Sequence, residues 1–599
     1  MLTNIQITWS RFFQKKRDQP QLPSSTHWST VSVELSNFEF ISPRFKHQNF
    51  VELAGEKKEA RKWTWQLVRR LEIVERDIIK AQAGYGAIYN KDAPVLTLPI
   101  EITCLIFREA HSTMEVKRNS DQIGVHLTEV AISHVCRQWR SAAIQLPILW
   151  SSFHYHGLSA TYATLGRFEI YLERSKLHTL ELWLDFSQAI RNRALNSSVL
   201  DMALMVVSRW RLVSICFDED LSQHTSPTVS LVRHKLKDLH APQLEHLALY
   251  PNVSIETDED LTSVSSIGPH IFTEGAPMLK SVRLDTLAPG LFLPPLSGVT
   301  TLFFEHGKYP LDLVFTLDTL RAILALPNLE NLSMSETFCD SDLEMESLIP
   351  MERLKHLRIS DGDSTMVLVL QILRAPLLES IMLQHAWIPV RYGGRRNTQD
   401  AATYSFPSLT SIVLIDLTCG SQGSFRHFMR MTSAVRHLAI IHSESHVLDG
   451  ALGRMSGPSD QKSIWPHLET LTVNFALMDN GIESALATFL KSHQRSDAEL
   501  TLRISDTKAM EWKEDGHPQT RYLAISKLCN IEEFPVKELR DPRPWPPGGD
   551  DVLARRIDPE GDPFTIKPKF GFHWGSLHSE LRVELLTVIF VDNDVVLES

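Results

Sequence analysis

The stretch of sequence that decides the fold is Ala241–Leu249, which reads APQLEHLAL. It carries the pattern apolar-x-x-apolar-x-apolar, with Leu244, Leu247 and Leu249 at the apolar positions. Leu247 and Leu249 are two residues apart, so in a β-strand their side chains lie on the same face. The stretch therefore predicts a short strand with one buried face, preceded by Pro242.

The same pattern occurs in eleven copies, whose first apolar positions are 20 to 35 residues apart. Several copies also place Pro before the pattern, as in LPNLENLSM from Leu326 and WPHLETLTV from Trp465. By their apolar positions the copies are Leu177-Leu180-Leu182, Leu212-Ile215-Phe217, Leu244-Leu247-Leu249, Leu279-Val282-Leu284, Val299-Leu302-Phe304, Leu329-Leu332-Met334, Leu354-Leu357-Ile359, Leu378-Ile381-Leu383, Leu409-Ile412-Leu414, Val435-Leu438-Ile440 and Leu468-Leu471-Val473.

The residue before the second apolar position is polar in every copy, as strand alternation demands. We expect these polar side chains to be exposed and their apolar neighbours to be buried. Segments such as Thr319–Ala325 and Met366–Arg374 fit helices between the strands. A strand-turn-helix unit of this size cannot bury its apolar side alone, so stacked copies predict an α/β fold with a parallel sheet on one face and helices on the other.

These copies resemble leucine-rich repeats of an irregular kind, which implies a curved solenoid over residues 165–505. The usual Asn three residues after the last apolar position occurs only at Asn252, so the match to the family pattern is incomplete. A mixed α/β domain with a parallel sheet is the alternative, and the number of copies makes it the weaker one.

Ahead of the repeats, Leu98–Trp150 contains two apolar blocks, LPIEITCLIF and SHVCRQWRSAAIQLPILW. Pro99 can open a helix, because the first helical residue needs no backbone donor. Ile102, Leu105 and Ile106 then give that helix one apolar face.

A second helix is predicted from Val135, Trp139 and Ala142, with Ser133 as its N-cap and Pro147 at its end. So small a unit buries little surface by itself and leaves apolar side chains available to a partner.

The two blocks resemble an F-box, especially the form found in many mushroom-type fungal proteins, over residues 93–156. The segment Arg108–Thr128 is longer and more polar than the family pattern, and an ordinary helical pair belonging to the core is the alternative. The matching positions are Leu98, Pro99, Glu101, Ile102, Ile106, Phe107, Ser133, His134, Val135, Cys136, Trp139, Arg140, Ala143, Pro147, Leu149 and Trp150.

The resemblance implies a substrate-recruiting adaptor subunit of a cullin–RING (SCF-type) ubiquitin ligase. The F-box-like unit would dock the ligase's adaptor protein, and through it a cullin, while the repeats would hold a target protein. A repeat scaffold without any link to ubiquitin is the alternative. The implied adaptor-binding residues are Leu98, Pro99, Glu101, Ile102, Ile106, Phe107, Val135, Trp139, Leu149 and Trp150.

A target site is predicted on the concave sheet face, where outward-pointing residues of neighbouring copies form columns. The column after the last apolar residue begins Trp183, Asp218, Tyr250, and exposed aromatics beside charges are typical of protein-binding hot spots. Loops that cover these aromatics are the alternative. The predicted target-binding residues are Trp183, Tyr250, Arg283, Asp285, Phe303, Glu305 and Arg358.

Three other regions complete the predicted organisation. Residues 51–92 read as one amphipathic helix, with Leu67, Leu71 and Val74 on its apolar stripe, which we expect to pack on the next domain. Residues 1–50 carry mixed signals that are compatible with partial disorder. Residues 535–570 are a Pro/Gly-rich linker or loop, and residues 571–599 form a C-terminal segment.

Composition and motifs exclude several classes. A net charge of −11 argues against general nucleic-acid binding, and no apolar run is long enough to span a bilayer. The N-terminus lacks the features of a secretory signal, and the six cysteines are too scattered for a disulfide framework or a Cys-x-x-Cys site. We therefore expect a cytoplasmic or nuclear protein.

No catalytic motif was found, so the prediction is a protein that is not an enzyme and needs no cofactor or metal. His442 and His446 have a spacing that can bind metal on a helix, but a solvated loop is expected there. The basic Arg391–Arg396 segment is expected to be a solvated turn rather than a phosphate site.

Overall fold

The computed structural model describes residues 49–547 with gaps between elements. The gaps are 91–93, 116–126, 158–159, 187–188, 220–226, 254–262, 265–266, 286–287, 306–312, 336, 341–348, 361–369, 371–372, 386, 389–405, 417, 420–427, 442–464, 475–479, 494–499, 515–520 and 536–544. The predictions for residues 1–48 and 548–599 lie outside the described part of the chain.

The chain divides into two compact units, with the boundary between Thr97 and Leu98. In the first unit, helix α1 spans Asn49–Asn90, close to the predicted helix at 51–92. Its described side chains are exposed, including the stripe residues Leu67, Leu71 and Val74.

The second unit begins with three helices, α2 (Ile100–Glu115), α3 (Thr128–Val135) and α4 (Arg137–Gln145), and a 3-10 turn at Pro147–Trp150. The second apolar block thus forms two helices rather than one. The chain is extended at Cys136, whose sulfur accepts a hydrogen bond from the backbone N–H of Trp139 and caps α4. Ser133 was expected to be this N-cap, but it lies inside α3.

The rest of the second unit is built on a fourteen-stranded sheet in which every strand is parallel to its neighbours and the strands follow one another in chain order. The strands are β1 (Ser152–His156), β2 (Leu180–Asp185), β3 (Trp210–Glu219), β4 (His246–Val253), β5 (Ser281–Asp285), β6 (Thr301–Glu305), β7 (Asn331–Ser335), β8 (His356–Ser360), β9 (Ser380–Gln384), β10 (Ser411–Ile415), β11 (His437–Ile441), β12 (Thr470–Asn474), β13 (Thr501–Ser505) and β14 (Asn530–Phe534).

Helices and short strands connect these fourteen strands. Thr316 caps one of the helices, and its Oγ1 accepts a hydrogen bond from the backbone N–H of Thr319. Leu373–Arg374, inside a predicted helix, instead pairs as a short parallel strand with Ile349–Pro350. The helices are α5 (Tyr162–Arg174), α6 (Ala189–Leu204), α7 (Pro227–Lys237), α8 (Ala288–Leu291), α9 (Leu317–Leu324), α10 (Asn480–His493), α11 (Asp506–Glu514) and α12 (Arg521–Ser526).

Equivalent repeat positions stand side by side in the sheet. Leu302, Leu332 and Leu357 are successive partners across β6, β7 and β8, and all three are fully buried. Each such column removes apolar surface from water along the sheet. This burial stabilises the folded state by roughly 25 cal/mol per Å² of apolar surface buried. The α/β class with a parallel sheet is therefore confirmed, as is the predicted burial of Leu247, Leu332, Leu357, Leu438 and Leu471, whereas Leu177 of the first copy is exposed.

The pairing also corrects the phase of the first two copies. Leu182 pairs with Val213, and Val213 pairs with Leu247, so the buried pair is Leu182 and Leu184 in β2 and Val213 and Ile215 in β3. The sequence analysis had placed both copies two residues away from this alignment. The sheet is also longer than the predicted 165–505, since β1 precedes that range and β14 follows it.

The polar column is less exposed than predicted. Among the residues before the second apolar position, which we expect to be exposed, His437 is exposed, His246 and His356 are half-buried and Asn331 is buried. Side chains of this column bond to one another, since Asn331 Nδ2 donates to Thr301 Oγ1 at 2.9 Å. Strands lie about 4.8 Å apart, so neighbouring polar side chains shield each other from water.

None of the helices that the structure describes is both long enough and apolar enough to cross a membrane.

We predict that Leu332→Ala lowers the free energy of unfolding by about 2–5 kcal/mol, because the side chain is fully buried between two equivalent leucines. Leu177→Ala is the matched control, since Leu177 is 91% exposed and its loss leaves no cavity. Urea unfolding followed by circular dichroism measures both. Identical midpoints for the two variants would contradict the assignment of Leu332 to the core.

Candidate functional site

Helix α2 presents one face to the interior and another to solvent. Thr103, Phe107 and His111 recur every four residues and are buried, and the Phe107 ring meets Trp139 edge-on with centroids 5.0 Å apart. Ile102 and Leu105 lie on the other side and are 43 and 52% exposed, and Ile100, the first residue of the helix, is 46% exposed. The predicted apolar face of α2 is thus largely directed to solvent.

The predicted adaptor-binding residues divide into a surface set and a core set. On the surface, Pro99, Glu101, Ile102 and Val135 are exposed, and Leu98 and Ile106 are half-buried. Ile100 and Leu105 are not among the adaptor-binding residues that the resemblance implies. The period of the helix nevertheless places Leu105 beside Ile102. We call Pro99, Ile100, Ile102, Leu105 and Val135 the helical patch. A cluster of exposed large apolar side chains is typical of an interaction surface.

The core set consists of Phe107, Trp139, Leu149 and Trp150, which are all buried. Residues of this pattern were expected to supply either the adaptor contact or the core beneath it, and the burial of these four favours the second role. Trp150 shows how they are held: its indole N–H donates to the carbonyl oxygen of Ala143 at 2.8 Å, and the Arg174 guanidinium lies 4.3 Å from the ring centroid.

A buried carboxylate links these helices to the start of the sheet. Glu129 of α3 is 1% exposed, accepts a hydrogen bond from the Tyr171 hydroxyl of α5 and lies 3.8 Å from His111 Nδ1. Because a buried carboxylate must be hydrogen-bonded, this contact holds α2, α3 and α5 in one arrangement. The helical patch is therefore carried on a rigid support.

The second candidate surface is the sheet face opposite the apolar columns. Strand register aligns Arg283 of β5, Phe303 of β6, Ser333 of β7 and Arg358 of β8 as one row. Glu305 lies two residues beyond Phe303 on the same face. We call Arg283, Phe303, Glu305, Ser333 and Arg358 the central cluster.

Glu305 is the centre of an ionic network in this cluster. Its Oε1 accepts hydrogen bonds from Arg358 Nε at 3.1 Å and from the Ser333 hydroxyl, and its Oε2 lies 3.4 Å from Arg283 Nη2. Arg358 Nε also donates to Ser333 Oγ at 2.6 Å. Glu305 and both arginines are at most 6% exposed in their side chains, so the three charges are held away from water.

Burial opposes the ionisation of Glu305. The positive charges of Arg283 and Arg358, together with hydrogen bonds from Ser333 and Arg358, outweigh this effect, so the pKa of Glu305 lies below its ordinary value. Glu305 is therefore a carboxylate at neutral pH, and its single negative charge offsets part of the charge of the two guanidinium groups.

The structure corrects the predicted target site in two ways. Trp183, Arg283, Asp285, Phe303, Glu305 and Arg358 are buried and Tyr250 is half-buried, so this face is covered rather than open. Trp183 also pairs with Ser214 and belongs to the same row as Phe303, whereas Asp218 pairs with Asn252, beyond Tyr250. The remaining residues lie in the predicted columns, since Arg283, Phe303 and Arg358 share one row and Asp285 pairs with Glu305.

Part of the cover comes from Trp545, which sequence reasoning assigned to a linker. Its ring meets Phe303 edge-on, with centroids 5.3 Å apart, and the Arg358 guanidinium lies 4.5 Å from the Trp545 ring centroid. A lone Trp between prolines in a Pro/Gly-rich stretch was the available signal, because such a ring tends to be buried.

Other candidate sites from the sequence gain no support. In the part of the chain that the structure describes, no group of three or more His, Cys, Asp or Glu side chains could hold a metal ion. Cys104, Cys136, Cys216 and Cys529 form no disulfide bond, and burial raises the pKa of Cys529 to about 11. The His442–His446 pair and the basic 391–396 segment lie outside the described residues.

A scan against protein-family models found no matching family, and a search of curated proteins found no matching relative. The family resemblances therefore rest on the residues themselves.

We predict that Glu305→Gln destabilises the protein by about 3–5 kcal/mol at pH 7, because it removes the negative charge that both buried guanidinium groups contact. The folded pKa of Glu305 is depressed, so its contribution to stability is present above the unfolded value of about 4.3 and is lost as the pH falls through the folded pKa. The stability difference between wild type and variant should accordingly shrink in acid.

Chemical denaturation at a series of pH values measures this effect. Glu469→Gln is the control, since Glu469 forms an exposed 3.2 Å pair with Arg436 and such pairs contribute little. A Glu305→Gln variant that unfolds at the same midpoint as the control at pH 7 is the result that rules out a structural role for the network.

Proposed function

We propose that this chain is a substrate-recruiting adaptor subunit of a cullin–RING ubiquitin ligase. In this proposal the helices α2 to α4 are an F-box that docks the ligase's adaptor protein. The fourteen-stranded sheet and its helices are an irregular leucine-rich-repeat solenoid that holds the target protein.

The observation that carries the proposal is the separation of the F-box-like pattern into a core and a surface. Phe107, Trp139 and Trp150 are buried, while Pro99, Ile102 and Val135 are exposed at the surface above them. An ordinary helical pair that only completes a core would bury the apolar residues of α2, and Ile100, Ile102 and Leu105 are exposed instead.

The proposed mechanism involves no bond made or broken by this chain. Binding of the ligase at one end and of the target at the sheet raises the concentration of the target near the ubiquitin-loaded enzyme. The rigid link through Glu129 supports this reading, because a fixed spacing between the two sites improves such proximity. The proposal places the protein in the cytoplasm or the nucleus.

A second candidate function is an interaction scaffold unrelated to ubiquitin. The long parallel sheet favours it, since repeat surfaces of this type bind proteins in many contexts. Co-purification separates the two functions: recovery of the ligase adaptor protein and a cullin with the full-length chain supports the first, and their absence supports the second.

We predict that Leu105→Glu abolishes capture of the adaptor protein, because it puts a charge into the centre of the helical patch. Leu177→Glu is the matched control, a fully comparable substitution at an exposed leucine outside the patch. Pull-down with the purified adaptor protein measures both, after circular dichroism has shown that each variant is folded. The Leu98→Ala/Pro99→Ala double variant is expected to behave as Leu105→Glu does.

If folded Leu105→Glu captures the adaptor protein as well as Leu177→Glu does, the helical patch is not the docking surface. If wild type captures none, the scaffold function is the one that remains.

A further inference from the structure

The Trp545 ring lies on the central cluster of the sheet although it is far from these strands in sequence. The side chain is 6% exposed, in edge-on contact with Phe303 and close to the Arg358 guanidinium. The segment Trp545–Pro547 forms a bend and turn there rather than a further strand. Its described contacts with the sheet are therefore made by the aromatic side chain and not by strand pairing.

The sheet residues beneath Trp545 are fixed by contacts of their own. Arg358 is held by Glu305 and Ser333, and the Arg283 guanidinium lies 4.2 Å from the Phe303 ring centroid on the neighbouring strand. These bonds do not involve Trp545, so the position that receives the ring is supported by the sheet itself. A pre-organised cation and ring edge favour an incoming aromatic side chain, because little ordering is needed on binding.

The chemistry of the segment suits this position. Prolines precede and follow Trp545 in the sequence Pro-Arg-Pro-Trp-Pro-Pro, and each proline restricts the backbone. A restricted segment loses little conformational freedom when it docks, which is why proline-flanked motifs serve as ligands of aromatic and charged surfaces.

We propose that the central cluster is a recognition site for a proline-flanked tryptophan, and that Trp545 is its built-in occupant. A target protein that carries a segment of the same chemistry displaces Trp545 and takes its place. The identity of that ligand as a ligase target rests on the proposed function. Recognition of the ring by Phe303 and Arg358 does not.

Binding of a free peptide distinguishes this proposal from a purely structural role of Trp545. If Trp545 occupies a genuine binding site, its tether gives it a high effective concentration, so a peptide in solution competes poorly. Removing the ring should open the site to the peptide. A Trp545 that is only part of the fold would leave no such site behind.

The test uses the full-length protein and a fluorescently labelled peptide with the sequence of residues 541–549, DPRPWPPGG. Fluorescence anisotropy should show binding to Trp545→Ala at least ~10-fold tighter than to wild type, since the tethered competitor is gone. The peptide DPRPAPPGG should not bind. Trp63→Ala, at a tryptophan that is 61% exposed, should behave as wild type.

Two further variants locate the site and guard against misfolding. Phe303→Leu combined with Trp545→Ala keeps an apolar side chain but removes the ring edge, and peptide binding should be lost. Trp545→Phe keeps an aromatic contact, and its peptide affinity should fall between those of wild type and Trp545→Ala. Thermal unfolding of each variant identifies those that remain folded.

Equal peptide binding by wild type, Trp545→Phe and Trp545→Ala, or none by all three, overturns the proposal and makes Trp545 a fixed part of the fold. Failure of both Trp545 variants to fold overturns it as well, because a displaceable ring cannot be required for folding. These outcomes do not involve the ligase adaptor protein, so they are independent of the pull-down result.

Discussion

In-register parallel pairing of equivalent strands is the constraint on which the rest of the structure depends. Each of the fourteen strands places its apolar residues beside those of the strands before and after it, as Leu302, Leu332 and Leu357 illustrate. No single strand-and-connection unit could bury these side chains, so each depends on its neighbours. The same register also aligns the opposite face into rows, and this alignment brings Arg283, Phe303 and Arg358 together from three strands.

The central cluster places charge where the sheet would otherwise hold apolar side chains. Other parts of the same face are packed with apolar residues, such as Trp183 with Leu212 and Ala248. Replacing a buried ionic group by apolar residues is often neutral or stabilising, so stability alone gives no reason for such a network. Fixed cations beside an aromatic ring are, however, suited to binding another ring. The proposed recognition of a tryptophan ring would give the cluster a role besides its place in the fold.

Much of this arrangement was predictable from the sequence, and the exceptions have physical causes. The apolar columns follow from strand periodicity, which can be read within each copy of the pattern. A shift of two residues along a strand leaves every side chain on the same face of the sheet. The pattern alone therefore could not show that the copies beginning at Leu177 and Leu212 were misaligned. The misalignment is visible only in the strand pairing, where Leu182 pairs with Val213 and Val213 with Leu247. Burial of Phe303 could not be predicted because its cover, Trp545, is remote in sequence. The apolar character of α2 at Ile102 was predictable. Helical periodicity does not, however, show which face of a helix packs against the rest of the protein and which faces solvent.

In the proposed site, Trp545 competes with any target for the central cluster. This competition sets the affinity that a target needs in order to bind. A competitor that is part of the same chain typically has an effective concentration of about a millimolar, so a target with the same intrinsic affinity for the site would have to be equally abundant. A target present at about a micromolar must therefore bind roughly a thousandfold more tightly, which corresponds to about 4 kcal/mol. One further well-packed anchor can supply that amount. Tyr250 and Asp285 lie beside the central cluster on the same face, but the Tyr250 hydroxyl and Asp285 are buried, so a target that uses them must uncover them as well. These neighbouring contacts would then determine which targets bind. Ligands that bind only at the tryptophan position would be too weak to displace Trp545.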